Sequence, residues 1–131
     1  MIWFLRVLFA VVIASMLAVT SWASMHTPLF AIPRAVFTHP WFIATLFDAY
    51  WAFVAFYVWV AWKEQSLAAR ILWFIAIIAL GNIAVAAYFL RELFHVPADG
   101  PLDLVFTRRN PGTFVLPGAL AAASVAVYLL A

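Results

Sequence analysis

Polar and apolar positions alternate along this chain on the scale of whole segments rather than single residues. Three long stretches, Ile2–Ala23, Trp41–Trp62 and Ile71–Leu90, are almost wholly apolar, and a fourth covers 115–130. Each of the first three has about the 20 residues that cross a hydrocarbon core of about 30 Å, and the fourth lies at the short end of that range. All seven prolines fall outside the first three stretches, as they must if those stretches are helical, because proline removes a backbone donor and clashes with the preceding turn. In lipid only helices or closed barrels satisfy their backbone. The pattern therefore predicts an all-α membrane protein, a bundle of four transmembrane helices near 2–23, 41–62, 71–90 and 115–130, forming a single integral membrane domain over 1–131. The connection 63–70 is short, so the second and third helices are expected to form an antiparallel hairpin. Segments 24–40 and 91–114 would then both lie on the opposite face.

Composition sharpens this picture. Of 131 residues, 69% are hydrophobic and 9% charged, against about 25% charged in soluble domains. The absence of cysteine excludes disulfides, thiolate metal sites and cysteine nucleophiles. A net charge of +2 gives no basis for nucleic-acid binding. Aromatic residues near the ends of the runs fit interfacial belts, with Trp3, Trp62 and Trp73 at one boundary and Trp22, Trp41 and Tyr88 at the other. Under this topology Arg6, Lys63 and Arg70 share one side, while Arg34, Arg91, Arg108 and Arg109 share the other. Three against four does not decide orientation; the basic residue before the first apolar run favours N-terminus and C-terminus inside, in the cytoplasmic (inner) membrane. The same segment, with Ser21-Trp22-Ala23 after an apolar core, also resembles a cleavable secretory signal, and cleavage would leave three helices.

Candidate chemistry is sparse. Asp48 lies seven residues inside the second run, about 10 Å below its boundary, and an acid at that depth is costly and generally finds a partner. Asn82 in the third run lies at the same depth, and Thr45 shares the Asp48 helix face. These three residues are the expected intramembrane polar pair or pocket, either a proton-active site or a hydrogen bond that fixes packing. Tyr50, Trp51, Tyr57 and Trp59 are candidates for contact with a lipophilic molecule such as a quinone or isoprenoid, against the plainer alternative of lipid and helix contacts. Arg91, Arg108 and Arg109 are candidates for headgroup contact. His26, His39 and His95 match no metal-ligand spacing, so neither a metal nor a cofactor is expected, and no catalytic set is present. Gly118, Ala122 and Ala126 form a small-residue series that suits close helix packing within the bundle, in a homo-oligomer or in a larger membrane complex. A non-enzymatic accessory, scaffold or lipid-interacting subunit follows most directly. The alternatives are a carrier using Asp48 in an oligomer, and an enzyme or binder acting on a lipophilic molecule.

The ordered series Pro40-Trp41, Ala44-Thr45-Leu46, Asp48, Tyr50, Trp59-Val60, Lys63-Glu64, Ser66, Trp73, Gly81 and Ala87-Tyr88 resembles a family of small integral membrane proteins, domain of unknown function 1475. The resemblance runs from residue 40 to about 95. It implies a multi-helix membrane protein with no established activity.

Overall fold

A computed structural model describes residues 1–130. It contains seven α-helices and no strand among the described residues: α1 (Ile2–His26), α2 (Arg34–Phe37), α3 (Pro40–Lys63), α4 (Leu67–Leu80), α5 (Asn82–Phe94), α6 (Asp103–Thr107) and α7 (Val115–Leu130), with a single 3-10 turn at Leu29–Ala31. Local chemistry sets these limits. Pro40 opens α3, where its missing donor costs nothing, and the His39 ring accepts from the Trp41 amide. Ser66 caps α4 by accepting from the Ala69 amide. α1 ends one residue short of the Thr27-Pro28 step, and Thr27 is extended, as a residue before proline prefers.

Among the described residues, only α1 and α3, with 25 and 24 residues, are long and apolar enough to cross a membrane. Their exposed tryptophans agree with a span. Trp3 and Trp22 on α1, and Trp41 and Trp62 on α3, are separated by 19 and 21 residues, which is about 30 Å of helix in each case.

The four-span expectation fails at the third run. Gly81 divides 71–90 into α4 and α5 with φ +58° and ψ −126°, a conformation that side-chain-bearing residues rarely adopt. The chain folds back on itself there. Trp73 and Tyr88, expected at opposite membrane boundaries, are both fully buried and meet edge to face with ring centroids 4.8 Å apart; a straight helix would separate them by about 22 Å. The two arms have 14 and 13 residues, about 20 Å each and too short to span.

Side-chain contacts fix the register around this hairpin. The Tyr57 hydroxyl donates to the Arg70 carbonyl and that of Tyr50 to the Ile78 carbonyl, so α3 and α4 are antiparallel. Phe9 stacks on Phe89 at 4.4 Å, and Arg6 donates to the carbonyls of Leu93 and Val96, which makes α1 and α5 antiparallel. α7 runs along α4, with the Tyr128 hydroxyl donating to the Ala79 carbonyl. At the tip, Tyr50 and Tyr128 thus satisfy two of the carbonyls that the end of α4 leaves without helical partners. The core lies within this set, formed by Val60, Trp73, Ala76, Ile77, Ala84 and Tyr88. On this register α1 and α3 run on past the hairpin tip by about eight residues, roughly 12 Å.

One consequence is a new distribution of charge. Segment 91–114 lies at the same end as 63–70, not opposite it. Arg6, Lys63, Arg70, Arg91, Arg108 and Arg109 all bond groups at that end, and Arg34, in the connection between α1 and α3, is the one basic residue at the other.

Candidate functional site

Folding back at Gly81 brings two dipeptides of mixed charge together, Lys63-Glu64 at the end of α3 and Arg91-Glu92 near the end of α5. A third strand of chain closes over them. The Asn110 amide donates to the Lys63 carbonyl at 2.7 Å and the Gln65 amide to the Asn110 carbonyl at 3.0 Å, a short parallel bridge. Gly112, at φ +98°, packs its backbone against Ser66; a Cβ there would stand 2.2 Å from the Ser66 Cβ. Only glycine permits both the conformation and the approach.

The Asn110 side-chain amide donates to Glu64 Oε1 at 3.1 Å and Glu92 Oε1 at 2.7 Å. Arg91 Nη2 bonds the same Glu64 oxygen and reaches Glu92 Oε1 at 3.0 Å. Lys63 Nζ stands 3.0 Å from Glu92 Oε2 and donates to the Val105 carbonyl. Arg108 donates to Asn110 Oδ1 at 2.9 Å, with Glu92 Oε2 3.7 Å away. Three cations therefore enclose two carboxylates, and Lys63, Glu64 and Glu92 are fully buried. Aromatic faces complete the enclosure: the Arg91 guanidinium lies 5.0 Å from the Tyr88 ring centre and 5.3 Å from that of Trp73, and Lys63 lies over Trp59. Burial alone would push the Glu92 carboxyl up, but hydrogen bonds from Arg91, Asn110 and Lys63 and the Lys63 charge outweigh it and hold the carboxyl below its ordinary range.

Chemically this is a latch. Its charges bind one another, and no group of His, Cys, Asp or Glu able to hold a metal ion exists among the described residues. Glu64 Oε2, Trp73 Nε1 and Tyr88 OH are buried without a hydrogen-bond partner, which leaves some polar capacity inside the enclosure.

The residues singled out from the sequence are placed differently. Asp48, Thr45 and Asn82 are all exposed. Thr45 donates to the Trp41 carbonyl of its own helix, and the expected Asp48–Asn82 hydrogen bond is not formed. The fold-back explains this: Asn82 opens α5 at the hairpin tip instead of lying within a helix packed against α3. Tyr50 and Trp51, with Leu46, Phe47 and Val54, line an open apolar groove of about 330 Å³ on α3. Tyr57 and Trp59 are instead tied inward, Trp59 donating to the Phe106 carbonyl. Arg91 is turned into the latch, whereas Arg108 and Arg109 keep contact with the surface. α7 packs through Pro117, Ala121 and Ser124, leaving Gly118, Ala122 and Ala126 outside that contact.

Glu92 and Asn110 match no motif, and their signal in the sequence is indirect. Gly81 followed by Asn82 within an apolar run is a helix stop, and reading it so places the two charged dipeptides at one end. No curated protein and no solved structure matches the chain significantly. A family model matches residues 1–113, a range that takes in α1, the hairpin and every residue of the latch and ends just before α7. On that match the chain belongs to the family described as Protein of unknown function (DUF1475).

Proposed function

We propose that this protein is a non-enzymatic, multi-pass membrane subunit, an accessory or scaffold protein held in shape by the latch and offering α1 and α3 to a partner. The observation that carries the reading is the contrast between a polar centre whose charges pair with one another inside the fold and two long apolar helices that the rest of the chain leaves largely exposed. A scaffold needs such faces, and an enzyme of this kind would need free polar groups in an accessible cavity. The latch end belongs at the cytoplasmic face of the inner membrane, because six of the seven basic residues gather there. Gly118, Ala122 and Ala126 on α7 supply a second close-approach face, for another copy or a larger complex. Chemical cross-linking in native membranes followed by native mass spectrometry tests this: a reproducible oligomer or partner is expected, and a chain recovered only as a monomer would contradict it.

A further inference from the structure

We infer that the Asp48 face of α3 is a docking surface for a transmembrane helix carrying a lysine or arginine within the bilayer. This inference rests on the membrane-subunit reading and names the chemistry of its partner. Asp48 is seven residues from Trp41 and 14 from Trp62, so it sits about 10 Å inside the hydrocarbon. It is exposed and has neither a hydrogen bond nor an ion pair with any described residue. None of the candidate partners among the described residues engages it: Arg34, in the connection at the same end, forms no ion pair with it. Six basic residues are held at the far end of α3, Asn82 is not bonded to it, and Thr45 is satisfied by its own helix.

An uncompensated acid facing lipid is expensive, and such groups pair. The complement to a lone carboxylate is a cation at the same depth. Helical spacing places Ala44, Ala52 and Ala55, all exposed, on the Asp48 side of α3, so a second backbone can come close enough for a short ammonium or guanidinium contact. A second copy of this chain fits poorly, because a symmetric contact would set Asp48 against Asp48 with no cation at that depth.

The test uses the full chain in phosphatidylcholine vesicles, a donor dye on a single cysteine at Ala35, and synthetic Leu/Ala helices of about 20 residues labelled with an acceptor. One helix carries a lysine at the Asp48 depth, and the control carries leucine there. Energy transfer should show the lysine helix binding about tenfold more tightly than the control. Asp48→Ala should abolish that preference and Asp48→Glu should restore it. Thermal unfolding of each variant separates loss of the contact from loss of the fold. Equal binding of the two helices, undiminished binding by Asp48→Ala, or self-association that excludes the lysine helix would each overturn the inference. Release of the chain from vesicles by alkaline carbonate would overturn the membrane reading itself.

Discussion

The two ends of α3 hold its two acidic problems, and the molecule solves only one of them. At the Lys63 end, Glu64 is fully buried yet surrounded by Arg91 and Asn110. Toward the Pro40 end, Asp48 is exposed and has no partner among the described residues. The same carboxylate chemistry thus appears once as an internally satisfied fastening and once as an open valence. The difference is topological. The hairpin at Gly81 reaches only part of the way along α1 and α3, so its charged base seals one end and its tip leaves the other uncovered. Buried contacts are concentrated where the short arms meet the long helices, and exposed apolar surface lies where they do not.

The comparison breaks most severely if the latch is opened. Glu92→Leu removes the carboxylate that Lys63, Arg91 and Asn110 share and leaves the buried Lys63 without a counter-ion, which costs about 3–5 kcal/mol. Thermal unfolding in detergent should show a large fall in Tm, and an unchanged Tm would mean that the network contributes nothing. Next in size is the hinge. Gly81→Val forces a β-branched residue to φ +58° and brings its Cβ to 3.0 Å from the Phe53 ring, with an expected loss of about 1–3 kcal/mol. The same unfolding assay reads it.

Much of the fold was open to a reading of apolar length alone. The ends of α1, α3 and α7 lie within about three residues of the expected 2–23, 41–62 and 115–130. The third run misled because apolarity measures affinity for lipid or core and does not record direction: 71–90 is equally apolar whether it runs straight or doubles back. The information lay in one residue, Gly81, whose positive φ has no counterpart in a continuous helix. The latch was hidden for the same reason. Lys63-Glu64 and Arg91-Glu92 look like ordinary helix-end charges until the reversal sets them together, while Asn110 comes from a loop whose docking depends on the backbone contact of Gly112 with Ser66. The place of Asp48 along α3 was readable; what lies opposite it was not, since the expected Asn82 belonged to a helix that is not continuous.

Acid should weaken the latch end. The folded Glu92 carboxyl is held below its ordinary value of 4.5, so its stabilising contribution is complete above about pH 4.5 and is lost as pH falls through the lower folded value. Unfolding midpoints measured from pH 5 to pH 3 should drop, and Glu92→Gln should flatten that drop. The smallest effect is expected at the open end. Asp48→Asn touches no internal contact, so the isolated chain should change in stability by less than about 0.5 kcal/mol. A larger loss would show that Asp48 is already engaged within the chain.

The reversal at Gly81 is the central claim, and side-specific labelling tests it most directly. The chain has no native cysteine, and Ala35, Gln65 and Asp99 are all exposed. Single cysteines at these positions, treated with a membrane-impermeant maleimide on right-side-out and inverted vesicles, report which side each occupies. The hairpin predicts Gln65 and Asp99 on one side and Ala35 on the other. Gln65 and Asp99 labelled from opposite sides would show that 71–90 crosses the membrane once, and would contradict the account.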